Sequence, residues 1–107
     1  MRQGDVYWFV FAAPDKRRPV VILTRSAIIP ARTQVTVAPL TTNVRGNRSE
    51  VRVGPADGLP QESVVSLDNI TTVRVSELRH HIGTLGIRKM REIRAAIEFA
   101  FAFEELK

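Results

Sequence analysis

The sequence has no cysteine among its 107 residues. That excludes disulfide staples, thiolate zinc sites, iron–sulfur clusters and a cysteine nucleophile. No apolar run approaches the roughly 20 residues of a membrane span. The first residues lack the charged, apolar and small-residue pattern of a secretory signal, so a soluble, cytoplasmic protein without membrane contact is expected. Also absent are a Gly-rich phosphate loop with its lysine, a helical metal-binding motif and a Gly-x-Ser-x-Gly elbow. The two histidines, His80 and His81, are neighbours whose side chains diverge on either a helix or a strand. They read as surface or structural groups. With the carboxylates scattered along the chain, no metal and no cofactor are expected.

What the chain does have is arginine. Its 16 basic residues divide into thirteen Arg and three Lys, against 11 acidic ones, for a net charge of +5. The imbalance is confined to one half. Residues 1–48 hold eight basic groups and two acidic ones, a net of +6, whereas residues 49–107 hold eight and nine, a net of −1. A guanidinium is a planar fork of donors that matches phosphate, and a basic half points to a polyanionic partner, nucleic acid first. At 44% apolar and 25% charged the composition is that of an ordinary globular chain, and the length is that of one domain spanning residues 1–107.

Most of the chain carries strand signals. Asp5–Phe11 is rich in β-branched and aromatic residues, with Val6, Trp8 and Val10 on one face and Tyr7, Phe9 and Phe11 on the other. Pro19–Leu23 follows a short polar connection. Thr33–Ala38 alternates, with Val35 and Val37 inward, and Glu50–Val53, Ser63–Leu67 and Ile70–Val75 complete the set. Arg25–Arg32 reads as loop broken by Pro30, and Ser76 as the cap of a short helical turn. From Gly86 or Ile87 the period becomes helical, with Met90, Ile93, Ile97, Ala100 and Phe101 on one face. Phe99, Phe103 and Leu106 fall on the other side. A helix apolar on two sides calls for two burial partners, unless Phe99–Phe103 forms a terminal strand instead. The expected fold is mainly β with a C-terminal helix, a small β-barrel or curled sheet.

Three polar constellations fall at strand ends. Lys16-Arg17-Arg18 lies at the mouth of the second strand, Thr41-Thr42-Asn43 after the third, and Ser66-Leu67-Asp68-Asn69 after a later one. Guanidinium groups suit phosphate, while hydroxyls, amides and a carboxylate can read the edges of unpaired bases. Thr-Thr-Asn and Asp-Asn are equally common turn material that bonds its own backbone. These residues alone reach as far as a nucleic-acid-binding β-barrel.

Five segments in order carry a resemblance. Gln3-Gly4-Asp5-Val6-Tyr7-Trp8, Arg18-Pro19-Val20-Val21-Ile22-Leu23, Val37-Ala38-Pro39-Leu40-Thr41-Thr42, Ser63-Val64-Val65-Ser66-Leu67-Asp68-Asn69-Ile70 and Ile82-Gly83-Thr84-Leu85 together resemble the MazF/PemK toxins. The resemblance implies the SH3-like barrel of the CcdB/MazF toxin fold with C-terminal helices, and a homodimer. It also implies a sequence-selective endoribonuclease of a type II toxin–antitoxin pair, which cuts single-stranded RNA without metal and leaves a cyclic phosphate and a 5′-hydroxyl. The family's catalytic arginine falls on Arg18 and its catalytic hydroxyl on Thr41. Arg17, Thr42, Asn43, Ser66, Asp68 and Asn69 are the candidate RNA contacts, and an antitoxin is the expected protein partner. The first loop is shorter than in many members, with Asp15 its only carboxylate, and Ser66 stands where some relatives have arginine. Two alternatives remain at this point: a CcdB-like gyrase poison that would not need Arg18 or Thr41, and a barrel that binds single-stranded RNA without cutting it.

Overall fold

A computed structural model of the chain describes residues 1–12 and 17–106. Its elements are β1 (Asp5–Val10), β2 (Arg17–Ile22), β3 (Gln34–Thr41), β4 (Glu50–Val53), β5 (Ser63–Ser66), β6 (Thr71–Arg74), β7 (His81–Thr84) and α1 (Ile87–Ala100), with short 3-10 turns between several of them. The sheet runs β4-β5-β3-β2-β1-β7, and β6 pairs with β3 off that path. β3 reaches this many partners by using its two halves separately: Gln34–Val37 face β6, and Leu40 and Thr41 face β5. All described pairings are antiparallel. The result is a curled, half-barrel sheet with a terminal helix.

Both faces of the sheet are covered, as the two-sided first strand requires. On one face Val6, Val21, Ala38, Val65 and Leu67 pack with Ile93 and Ala96 of α1. On the other, Phe9, Val20, Ile22, Val35 and Val37 pack against Ile29 and Val73. Val35 and Val37 are inward as their alternation indicates.

Several boundaries differ from the sequence reading. β3 runs to Thr41 rather than Ala38 because Leu40 and Thr41 find partners in β5. Ser26–Ala31 is a 3-10 turn with Pro30 inside it, held by its buried Ile29. Ser76 lies within a 3-10 turn, Val75–Glu77, whose N-cap is Arg74. β7 was not read from sequence at all. α1 stops at Ala100, and Phe103–Glu105 forms a 3-10 turn rather than a strand. Phe101, placed on the buried face by periodicity, is exposed at the helix C-cap together with Phe99, Phe103 and Leu106.

Asp5 fastens the edge. It is buried at the start of β1, where Thr84 Oγ1 of β7 donates to Oδ1 at 2.7 Å and the Arg2 N–H to Oδ2 at 2.8 Å. His81 Nε2 lies 3.5 Å from the same Oδ1. Burial works to raise the Asp5 pKa, but the Thr84 and Arg2 hydrogen bonds, His81 and the chain's amino terminus outweigh it and hold the carboxyl below its ordinary value of 3.8.

Two predictions follow from this packing. Ile93→Ala removes a side chain that is 1% exposed and should cost about 2–5 kcal/mol in urea unfolding. Ile87→Ala, at 69% exposure, should stay within about 0.5 kcal/mol, and equal losses would contradict the placement of α1. Because the folded Asp5 pKa is depressed, its stabilisation is complete above the unfolded value and is lost as pH falls through the folded one. Asp5→Asn should therefore flatten the acid limb of the stability–pH curve; an acid limb as steep as that of the parent would show that Asp5 contributes nothing there.

Candidate active site

Strand register assembles the site. β1 and β2 pair Phe9 with Arg18, and β3 and β5 pair Thr41 with Val64. β2 and β3 pair Val20 with Pro39, and Arg18 and Thr41 lie two residues beyond that pair on their strands. Both line one groove there. Side-chain alternation puts both on the face of Phe9, Val20 and Val37. There the apolar block gives way to a groove of about 350 Å³ lined by Phe11, Arg18, Pro39, Thr41, Ser66, Asn69 and Thr71.

Three hydroxyls line this groove, those of Thr41, Ser66 and Thr71, and the first two each accept one hydrogen bond. Thr41 Oγ1 accepts the Asn43 N–H at 3.1 Å, and Ser66 Oγ accepts Asn69 Nδ2 at 2.8 Å. A hydroxyl has one hydrogen and two lone pairs, so each of these two keeps its hydrogen to donate. One guanidinium and three hydroxyls make a lining suited to a phosphate. Among the described residues, no three of His, Cys, Asp and Glu come together in a metal-ligating group.

The other candidates are distributed differently. Thr42 and Asn43 are exposed on the loop that leaves β3, at the groove's end but outside its lining. Arg17, one residue from Arg18 on β2, projects to the opposite face, where its guanidinium carbon sits 4.1 Å from the Trp8 ring centroid. Asp68 is turned away from the groove: its Oδ2 accepts the hydroxyl of buried Ser49, which also lies against Asn47 Oδ1. Asp15 lies outside the described residues. Phe11 and Thr71 line the groove without having been singled out from sequence. Phe11 was legible, since it alternates with Phe9 in the first strand; Thr71 comes in through its pairing with Val37.

The loop from Thr42 to Arg48 is exposed but tied down. Glu50 accepts the N–H groups of Arg45 and Gly46, the second at 2.8 Å, and Gly46 has the left-handed φ of 80° that lets both point at one carboxylate. Arg48 pairs with Glu104 at 2.8 Å and lies over Phe99. Leu67 N–H donates to Ser49 O beside the Asp68 contact. Asp68 therefore joins this loop to the turn that carries Asn69. Asp68→Ala should lower stability by about 1–3 kcal/mol, the cost of losing a charge-assisted hydrogen bond, and should speed amide exchange at Leu67. An unchanged urea midpoint with unchanged exchange would leave Asp68 free of this role.

The comparisons with known proteins agree with the geometry. Residues 2–101 match the family model for the PemK-like, MazF-like toxin of type II toxin–antitoxin systems. Endoribonuclease MazF3 of Mycobacterium tuberculosis is 49% identical over 87 residues, covering 81% of this chain and 84% of the relative. The solved Mycobacterium tuberculosis toxin MazF-mt6 superposes with a TM-score of 0.84 at 44% identity, over 92% of this chain and 96% of that one. A mycobacterial endoribonuclease solved in complex with its cognate antitoxin gives a TM-score of 0.84 at 27% identity, over 95% of both chains. The chain belongs to the PemK-like, MazF-like family of type II toxin–antitoxin toxins.

Proposed function

We propose that this chain is a sequence-selective, metal-independent endoribonuclease that cuts single-stranded RNA and is neutralised by a cognate antitoxin. The observation that carries the reading is that Arg18 and Thr41 line one groove, with further hydroxyls at Ser66 and Thr71. The endoribonuclease names of the relatives, and the antitoxin complex of one of them, support it.

The chemistry asks little beyond placement and charge stabilisation. RNA supplies its own nucleophile: the ribose 2′-hydroxyl attacks phosphorus, the bond to the 5′-oxygen breaks, and a 2′,3′-cyclic phosphate and a 5′-hydroxyl result. The proton lost from the 2′-oxygen passes to solvent, and the departing oxygen gains one. Arg18 stabilises the charge that grows on the non-bridging oxygens, and Thr41 donates to the scissile phosphate and helps hold it in line. A guanidinium's planar fork of donors matches the phosphoryl oxygens, so the first role of Arg18 is electrostatic. Ser66 and Asn69 contact the bound strand within the groove; Thr42 and Asn43 meet it where it leaves.

The protein is proposed to work as a homodimer. α1 carries apolar groups on two sides, and Leu23, Met90 and Ile97 line an apolar groove along it that a second copy would cover. The antitoxin would bring carboxylates to the basic half and apolar residues to the helix side.

Removing a single preorganised donor from such a site costs roughly 10²–10³ in turnover. Arg18→Ala and Thr41→Val should each lose about that much in cleavage of a fluorescent RNA, with circular dichroism and sedimentation unchanged. Arg18→Lys should recover part of the loss, and Thr41→Ser most of it. Full activity in Arg18→Ala would remove it from the site; RNA bound by the parent protein but left whole would favour a non-catalytic barrel.

A further inference from the structure

The groove accounts for Arg18 but not for its neighbour. Arg17 and Trp8 lie on the other face of the β1–β2 hairpin, as strand alternation requires for residues next to Arg18 and Phe9. Trp8 is opposite Pro19, which makes Arg17 its diagonal cross-strand neighbour, and the guanidinium lies over the ring at 4.1 Å. This is the one tryptophan of the chain, and it belongs to neither core cluster. It is half-buried, with the exposed Arg17 above it. The Arg79 N–H donates to Trp8 O at 2.8 Å, and the Trp8 N–H to His80 O at 3.1 Å, so the backbone on which Trp8 stands is tied to the segment that leads into β7.

Arg18 and Phe11 both line the groove on the opposite face of the hairpin. An unpaired base stacks well on an aromatic ring or on a guanidinium plane, whatever its sequence, and a flanking cation neutralises the adjoining phosphate. We infer that the Trp8–Arg17 pair is a second, sequence-tolerant nucleotide subsite, on which a base outside the groove stacks after the strand passes the hairpin. Arg17 holds the stack together and is the cation beside the adjoining phosphate. This inference rests on the single-stranded RNA reading proposed for the groove.

Being the only tryptophan, Trp8 reports on itself. Titrating the protein with a long 2′-O-methylated oligonucleotide, which binds but cannot be cut, should change its fluorescence in step with binding followed by anisotropy. In cleavage assays, Trp8→Leu and Arg17→Ala should raise KM for a long RNA about tenfold, the loss expected for one stacked base, with kcat kept. An RNA trimmed to the nucleotides at the cut should show no such change, and Trp8→Phe should restore most of the long-strand affinity. RNA that is cut while the emission stays constant, or equal KM effects on long and short RNA, would overturn the subsite and leave the groove standing. RNA that neither binds nor is cut would overturn both. Emission changed by a glutamate-rich apolar peptide but not by RNA would give this surface to a protein partner and overturn the subsite as well.

Discussion

The pairing of β3 on both of its sides is the constraint on which the rest depends. Its N-terminal half holds β6, its C-terminal half holds β5, and β2 lies along its other edge. That arrangement curls the sheet and brings Arg18, cross-strand from Phe9, and Thr41, cross-strand from Val64, to one groove. Side chains alternate with a period of two, so a one-residue slip of β3 would send Thr41 to the α1 side and Leu40 into the groove. The apolar alternation that buries Val35 and Val37 therefore also fixes where Thr41 points. Core packing and site geometry are the same restraint.

A polar groove set on this block needs rigid edges, and the structure supplies them from residues outside it. Glu50, Asp68 and Arg48 each fasten part of the loop after Thr41 to a different neighbour: its own backbone, the turn bearing Asn69, and the end of α1. Two of these three are acidic groups in a strongly basic region. Their oxygens are engaged by N–H and O–H donors, so they organise the loop while Arg18 supplies positive charge to the groove. On the proposed reading, the donors of such a groove are in place before charge develops on the RNA.

Much of this was legible in the sequence, for identifiable reasons. Strands rich in Val, Ile and aromatics announced themselves, and so did the helix built on Ile93 and Ile97. β7 did not, because His81–Thr84 is short and half-exposed, contains Gly83, and exists through its pairing with β1. The 3-10 turn at Ser26–Ala31 was hidden by Pro30. Arg18 and Thr41 stood out at strand ends, but the chain alone does not say that residues 23 apart share a groove; the family resemblance singled out both, and the fold brings them to one lining. Arg17 was separable from Arg18 in principle, since neighbours on a strand face opposite ways. Asp68 was not, because its partner Ser49 lies 19 residues away and carries no local signal.

The central claim is that this groove cleaves RNA by using the RNA's own 2′-hydroxyl. The most direct measurement is to incubate the purified protein, free of antitoxin, with a long, weakly structured RNA in excess EDTA and to determine the chemistry of the fragment ends. Discrete cuts ending in 2′,3′-cyclic phosphate and 5′-hydroxyl are the predicted result. Fragments ending in 3′-hydroxyl and 5′-phosphate, or cleavage abolished by the chelator, would contradict it.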